Sequence, residues 1–283
     1  MTSKRNFGTA LLIIDVQYDF LPGGALAVED SDSILPNILP LISAASSSHD
    51  AAFDALIATQ DYHPPDHISF ASNHPNAQLF TEKKLPHPVT PGEWIHQMMW
   101  PDHCIQGTRG VELEDSIKRE LKSHQEKGDV DVLLIRKGTD AKIDAYSAVA
   151  DNSYTRFTPL IRYLSSHQRL QLDDGTRTAT EERRPIEVVI VVGLALDYCL
   201  FSSAMDLLKF GLQIVVPLDC SRGVTKDGCD DALGKLRAAG AVVVDTHQEA
   251  LRYVKELSDS GKEASTVTPF MQALRDSQRD VWS

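Results

Sequence analysis

Several things are scarce in this sequence of 283 residues, and each scarcity removes a class of function. Cysteine is sparse: Cys104, Cys199, Cys220 and Cys229 have neither zinc-finger pairing nor the density of a disulfide scaffold, so reduced thiols in a reducing compartment are expected. Positive charge is short. Lys and Arg number 28 against 40 Asp and Glu, the net charge is -12, and no basic stripe exists, which argues against nucleic acid or an anionic membrane as partner. Long apolar runs are missing too: Ala10 to Ile14 is too short for a signal peptide and stops at Asp15. An intracellular protein without membrane association is expected, cytoplasmic first, with nucleus or peroxisome left open. No glycine-rich phosphate loop opens a helix, so no nucleotide cofactor is expected.

What is present suits one large α/β domain. Apolar content of 42% and charged content of 24% are ordinary for a globular chain. Apolar, β-branched stretches read as buried strands at Thr9–Ile14, Ala55–Ala58, Val130–Ile135, Val188–Val192, Leu212–Pro217 and Ala241–Val244. Helical spacing appears at Ser33–Ser46, with Pro40 implying a kink or late start, at Leu113–His124, after Cys199 up to a stop at Gly211, at Asp227–Ala239 and at Gln248–Leu257. Alternation of strand and helix predicts a single-domain, mostly parallel six-stranded sheet with helices on both faces, a Rossmann-like three-layer α/β fold. Three stretches stand outside that pattern: a long loop at 59–110, a polar insertion at 165–184 and a polar tail at 258–283.

Ligands of such folds collect at the carboxyl ends of the strands, where Asp15, Asp61, Lys137 and Cys199 would meet. The most informative stretch is Glu187–Gly211, a buried strand, the turn Gly193-Leu194-Ala195-Leu196-Asp197-Tyr198, and then Cys199 in the first turn of a helix. The helix dipole there favours a thiolate, which can lower a cysteine pKa to roughly 3.5–7.5. Asp15, Lys137 and Cys199 together offer a base, a cation and a nucleophile; the bland alternative is an Asp–Lys ion pair beside an inert thiol. Asp61, His63 and His103 form a carboxylate and imidazole set that suits Zn²⁺, Fe²⁺ or Mn²⁺, although His67, His74, His87 and His96 share the same loop and spacing does not separate them.

In combination these motifs carry more. IIDVQ.DF, T.DYHP..HISFA, WP.HC..GT.G, IRKG and GLALDYC occur in this order, and over residues 9–250 the chain resembles the nicotinamidase/pyrazinamidase branch of the isochorismatase-like cysteine hydrolase superfamily. The resemblance implies one isochorismatase-like hydrolase domain over 1–283, with Asp15 as general base, Lys137 as the charged third member and Cys199 as nucleophile. It implies Asp61, His63 and His103 as ligands of one divalent metal, Zn²⁺ first and Fe²⁺ or Mn²⁺ as alternatives. It also implies a cis peptide at Leu194-Ala195, an oxyanion hole from the backbone N–H groups of Ala195 and Cys199, and an aromatic sandwich of Phe20, Trp100 and Tyr146 around the substrate ring. The implied reaction converts nicotinamide to nicotinate and ammonia through a thioester on Cys199, in NAD salvage, with pyrazinamide also accepted. The rival readings are a metal-free hydrolase of ureido or carbamoyl compounds and a silent binding module; a homo-oligomer is left open.

Overall fold

Strand β1 (Gly8–Ile14) is buried along its whole length, as its unbroken apolar run requires of a strand covered on both faces. The computed structural model describes residues 7–45, 52–166 and 185–260. The other strands are β2 (Ala55–Asp61), β3 (Glu82–Pro86), β4 (Trp94–Met98), β5 (Asp131–Lys137), β6 (Ile186–Leu194), β7 (Gln213–Pro217), β8 (Ser221–Arg222) and β9 (Val242–Val244). The main sheet runs in the order β5-β2-β1-β6-β7-β9, parallel throughout, so the six expected strands are present. A seventh, the two-residue β8, adds to β6 and was not anticipated; two residues are too few to show a period.

Alternation along each strand divides the core in two. Leu11, Ile13, Val188, Ile190 and Val192 face helices α1 (Leu35–Ser43), α2 (Asp115–Lys127) and α6 (His247–Ser260), while Leu12, Ile14, Val189 and Val191 face α3 (Leu160–Ser166), α4 (Phe201–Lys209) and α5 (Lys226–Ala238). Each such side chain, fully buried, contributes roughly 1.5–3 kcal/mol. Helix α1 begins at Leu35, after a 3₁₀ turn at Ser31–Ile34, and holds Pro40 inside it, so the proline does not mark the start of the helix. Helix α2 is capped by the Glu114 side chain, which accepts from the Ser116 and Ile117 N–H groups at 2.7 and 3.1 Å, and it stops at Gly128 with φ 65°.

The loop at 59–110 contains structure that its composition hides: β3 and β4 form an antiparallel hairpin, off the main sheet. Most of the insertion expected at 165–184, and the tail from 261 onward, lie outside the described residues. Among the described residues, no helix is long and apolar enough to cross a membrane.

Candidate active site

Four adjacent strands deliver the charged groups to one place. Asp61 and Lys137 close β2 and β5 and are paired across the ladder, and Asp15 follows β1. Cys199 lies one turn beyond β6, in a wide helical turn at Leu196–Leu200 that leads into α4. At Gly193 (φ +111°) an added Cβ would sit 2.1 Å from the Ile14 carbonyl, so only glycine lets β6 approach β1 this closely. The Leu194–Ala195 peptide is cis, as the resemblance implied.

Lys137 is the hub of the site. Its buried Nζ lies 2.8 Å from Asp15 Oδ2, 2.5 Å from Asp61 Oδ1, and 3.2 Å from both the Ala145 carbonyl and Cys199 Sγ. Asp15 Oδ1 accepts the Thr59 hydroxyl at 2.5 Å, and the Asp15 N–H donates back to Thr59 Oγ1 at 3.1 Å. Apart from its ion pair, Asp15 Oδ2 has no hydrogen-bond donor, and it is an open acceptor in reach of the thiol. A carboxylate oxygen each of Asp15 and Asp61 and the Cys199 sulfur lie within 4.8 Å of one another.

These neighbours decide the protonation states. Burial raises the Asp15 carboxyl above its ordinary range; Lys137 opposes that and Asp61 adds to it. Burial works against charge on Lys137, yet the Asp15 and Asp61 carboxylates hold its pKa well above normal. Cys199 departs from the sequence expectation. Burial drives its pKa well above 9 and the two carboxylates add to this, while Lys137 works in the opposite direction, so the resting group is a thiol rather than a dipole-stabilised thiolate. A thiol would need a base to react, and the Asp15 carboxyl lies close enough to be considered for that part.

Asp61 also faces two imidazoles. His63 Nε2 and His103 Nε2 lie 3.6 and 3.9 Å from Asp61 Oδ2, while their Nδ1 atoms face the Gly138 and Pro101 carbonyls at 2.8 and 2.7 Å. A carbonyl only accepts, so each Nδ1 carries a proton and each Nε2 is the ring atom turned toward Asp61. Burial, then the neighbouring His63, pushes His103 down to about 4, which keeps its lone pair free. Burial disfavours charge on His63, but the Asp61 carboxylate outweighs it and raises the His63 pKa above the ordinary histidine range. Two imidazoles and a carboxylate within 4.8 Å of one another fit a divalent metal with open positions. His67 stacks on His63 with centroids 4.0 Å apart, and its Nε2 is buried without a hydrogen-bond partner.

The cavity over these groups is lined by Phe20, Trp100, Tyr146, Ala195, Tyr198 and Val224, with Asp61, His63, His103 and Cys199 in its wall. Trp100 Nε1 donates to the Tyr146 hydroxyl at 3.2 Å, and the Trp100 and Tyr198 rings meet edge to face at 4.8 Å. The three aromatic residues expected from sequence are therefore brought together. Tyr198 was missed although it is next to Cys199 in GLALDYC, and Asp144, a buried carboxylate in the same wall, carried no sequence signal.

An isochorismatase domain model matches residues 177–248. The curated nicotinamidase of Acinetobacter baylyi is 36% identical over 225 residues, covering 80% of this chain and 86% of that protein. This chain belongs to the nicotinamidase family. It is an amidohydrolase with the isochorismatase-like fold, as its motifs led us to expect. Two solved relatives share the architecture. The yeast nicotinamidase bound to the inhibitor nicotinaldehyde has a TM-score of 0.70 at 26% identity, covering 84% of this chain and all of that one at 100%. The Pyrococcus horikoshii pyrazinamidase in complex with zinc has a TM-score of 0.57 at 25% identity, covering 84% and 98%.

Proposed function

We propose that this member of the nicotinamidase family is a metal-dependent cysteine amidohydrolase that converts nicotinamide to nicotinate and ammonia, accepts pyrazinamide, and serves NAD salvage. The observation that carries the reading is the buried Lys137 ammonium, which touches the Asp15 carboxylate and the sulfur of Cys199, a residue in the wall of an aromatic-lined cavity. Asp61, His63 and His103 would hold the metal, whose Lewis acidity would anchor the pyridine nitrogen.

The chain's own groups account for the rest. Phe20, Trp100 and Tyr146 hold the ring, so the carboxamide carbon meets Cys199 Sγ at near-attack distance. Asp15 takes the thiol proton as sulfur adds to that carbon, and Lys137 stabilises the sulfur anion as it forms. The backbone N–H groups of Ala195 and Cys199 receive the oxyanion. Collapse of the tetrahedral adduct breaks the C–N bond, Asp15 returns its proton to the departing ammonia, and a thioester remains. Asp15 then deprotonates a water that adds to the thioester; the C–S bond breaks, Asp15 returns that proton to the departing Cys199 sulfur to restore the thiol, and the acid product leaves as nicotinate after losing its own proton to solvent. The deciding experiment is ammonia release from nicotinamide by wild type and Cys199→Ala, each with chelator and with Zn²⁺ added back. Release that needs both Cys199 and metal is expected; full activity in Cys199→Ala, or undiminished activity after metal removal, overturns the reading.

A further inference from the structure

We propose that Gln17 and Asp19 are positioning residues for the metal centre, two side-chain clamps on one short segment that fix the backbone of Asp61 and the backbone beside His103. The proposal rests on the metal-dependent reading above.

Gln17 is fully buried, and every polar contact it makes with its side chain goes to main chain. Its Oε1 accepts the Asp61 N–H at 2.8 Å, and its Nε2 donates at 2.8 Å to the Asp61 carbonyl and at 2.8 Å to the Val111 carbonyl. An N–H only donates and a carbonyl only accepts, so these three groups admit one orientation of the amide. Gln60 Nε2 donates to the same Val111 carbonyl at 2.6 Å, which ties the end of β2 to the end of the long loop. Asp61 is thus gripped on both its backbone polar groups by a residue that never enters the cavity.

Asp19 makes the second clamp. Its Oδ2 accepts the Cys104 N–H at 2.6 Å and its Oδ1 the Ala25 N–H at 3.3 Å. Cys104 follows His103 directly and has φ 47°, a left-handed backbone that needs outside support. An added Cβ on Gly110 would fall 2.1 Å from Asp19 Oδ2, so the returning loop packs straight onto the carboxylate. The backbone between the clamps is itself fastened, with Tyr18 N–H donating to the Glu112 carbonyl at 3.1 Å and Asp19 N–H to Gly110 at 3.0 Å. Asp61 sits at the end of a rigid strand and His103 on a long loop; the spacing between them is set here, by the segment that also carries Asp15 and Phe20.

A merely structural role would lower stability and leave metal affinity alone, and that difference makes the test. Zn²⁺ affinity is measured on the full chain by competition with a chromogenic chelator, with thermal midpoints taken with and without Zn²⁺. Wild type, His103→Ala, Gln17→Leu, Asp19→Asn and the core control Ile38→Val are compared. Zn²⁺ binding by wild type that is lost in His103→Ala tests the parent reading alone; if wild type binds no Zn²⁺, that reading fails and this proposal falls with it. Gln17→Leu is expected to bind Zn²⁺ about 10-fold or more weakly, the usual effect of removing support behind a metal ligand. Asp19→Asn, which keeps one acceptor oxygen and the same shape, should show a smaller loss, and it decides the matter if Gln17→Leu fails to fold. Wild-type affinity in the folded variants, or an equal loss in Ile38→Val, overturns the proposal.

Discussion

Replacing Lys137 by methionine keeps the buried stem and removes the charge. The ammonium lies 2.8 Å from Asp15 and 2.5 Å from Asp61, with the two carboxylate side chains 0% and 6% exposed, so water offers no substitute. Breaking a buried ion pair by removing one partner costs about 3–5 kcal/mol. Here the loss leaves two carboxylates within 4.8 Å of each other, and one must take up a proton. Burial already raises the Asp15 pKa, and losing Lys137, which opposes that rise, lifts it further. A carboxyl with a raised folded-state pKa binds a proton that the unfolded chain has released, so stability falls as pH rises through that window and recovers as pH falls toward the unfolded value. Urea denaturation in chelator-containing buffer should therefore show a deficit of about 3–5 kcal/mol at neutral pH that narrows on acidification. Ammonia release should fall by at least about 10²-fold, because a protonated Asp15 no longer serves as a base. A variant as stable as wild type at neutral pH, or a deficit that does not change with pH, would refute the reasoning.

Two further outcomes are expected. Thr59→Val removes a hydrogen bond that lowers the Asp15 pKa, so the acidic limb of the kcat/KM profile should move to higher pH; a limb that stays in place would remove Asp15 as its origin. At Gly138, with φ +61°, an added Cβ would lie 2.3 Å from His63 Cε1, so Gly138→Ala should displace that ring and weaken Zn²⁺ binding by about 10- to 100-fold in a titration, and unchanged binding would show that the ring can give way.

The buried strands were legible because burial on both faces leaves one composition available to them. Val188–Val192 reads as a strand for the same reason that it sits at the centre of the sheet. The β3–β4 hairpin was not legible: EKKLP alternates between exposed and half-buried positions, and in WIHQM the one buried residue is the polar Gln97, so neither strand shows a buried apolar face. Asp15, Asp61, Lys137 and Cys199 could be nominated from residue type and strand-end position, since chemistry restricts those types, whereas His63 and His103 stood among other histidines of one loop and only the family resemblance singled them out. Cys199 still misled, because the helix-dipole expectation took no account of burial beside two carboxylates. Gln17 and Asp19 act on backbone groups far away in sequence, and such partners cannot be read before the chain is folded.

The pairing of β1 with β6, Ile14 against Gly193, joins segments far apart in the sequence and brings Asp15 close to Cys199. Contacts between such distant segments are slow to form. The Asp15 carboxyl and the Cys199 thiol therefore meet only once β6 has docked on β1, so activity reports an intact central ladder. Substitutions that loosen this junction should abolish turnover before they unfold the rest of the molecule, and loss of catalysis would be the earliest sign of a failing core.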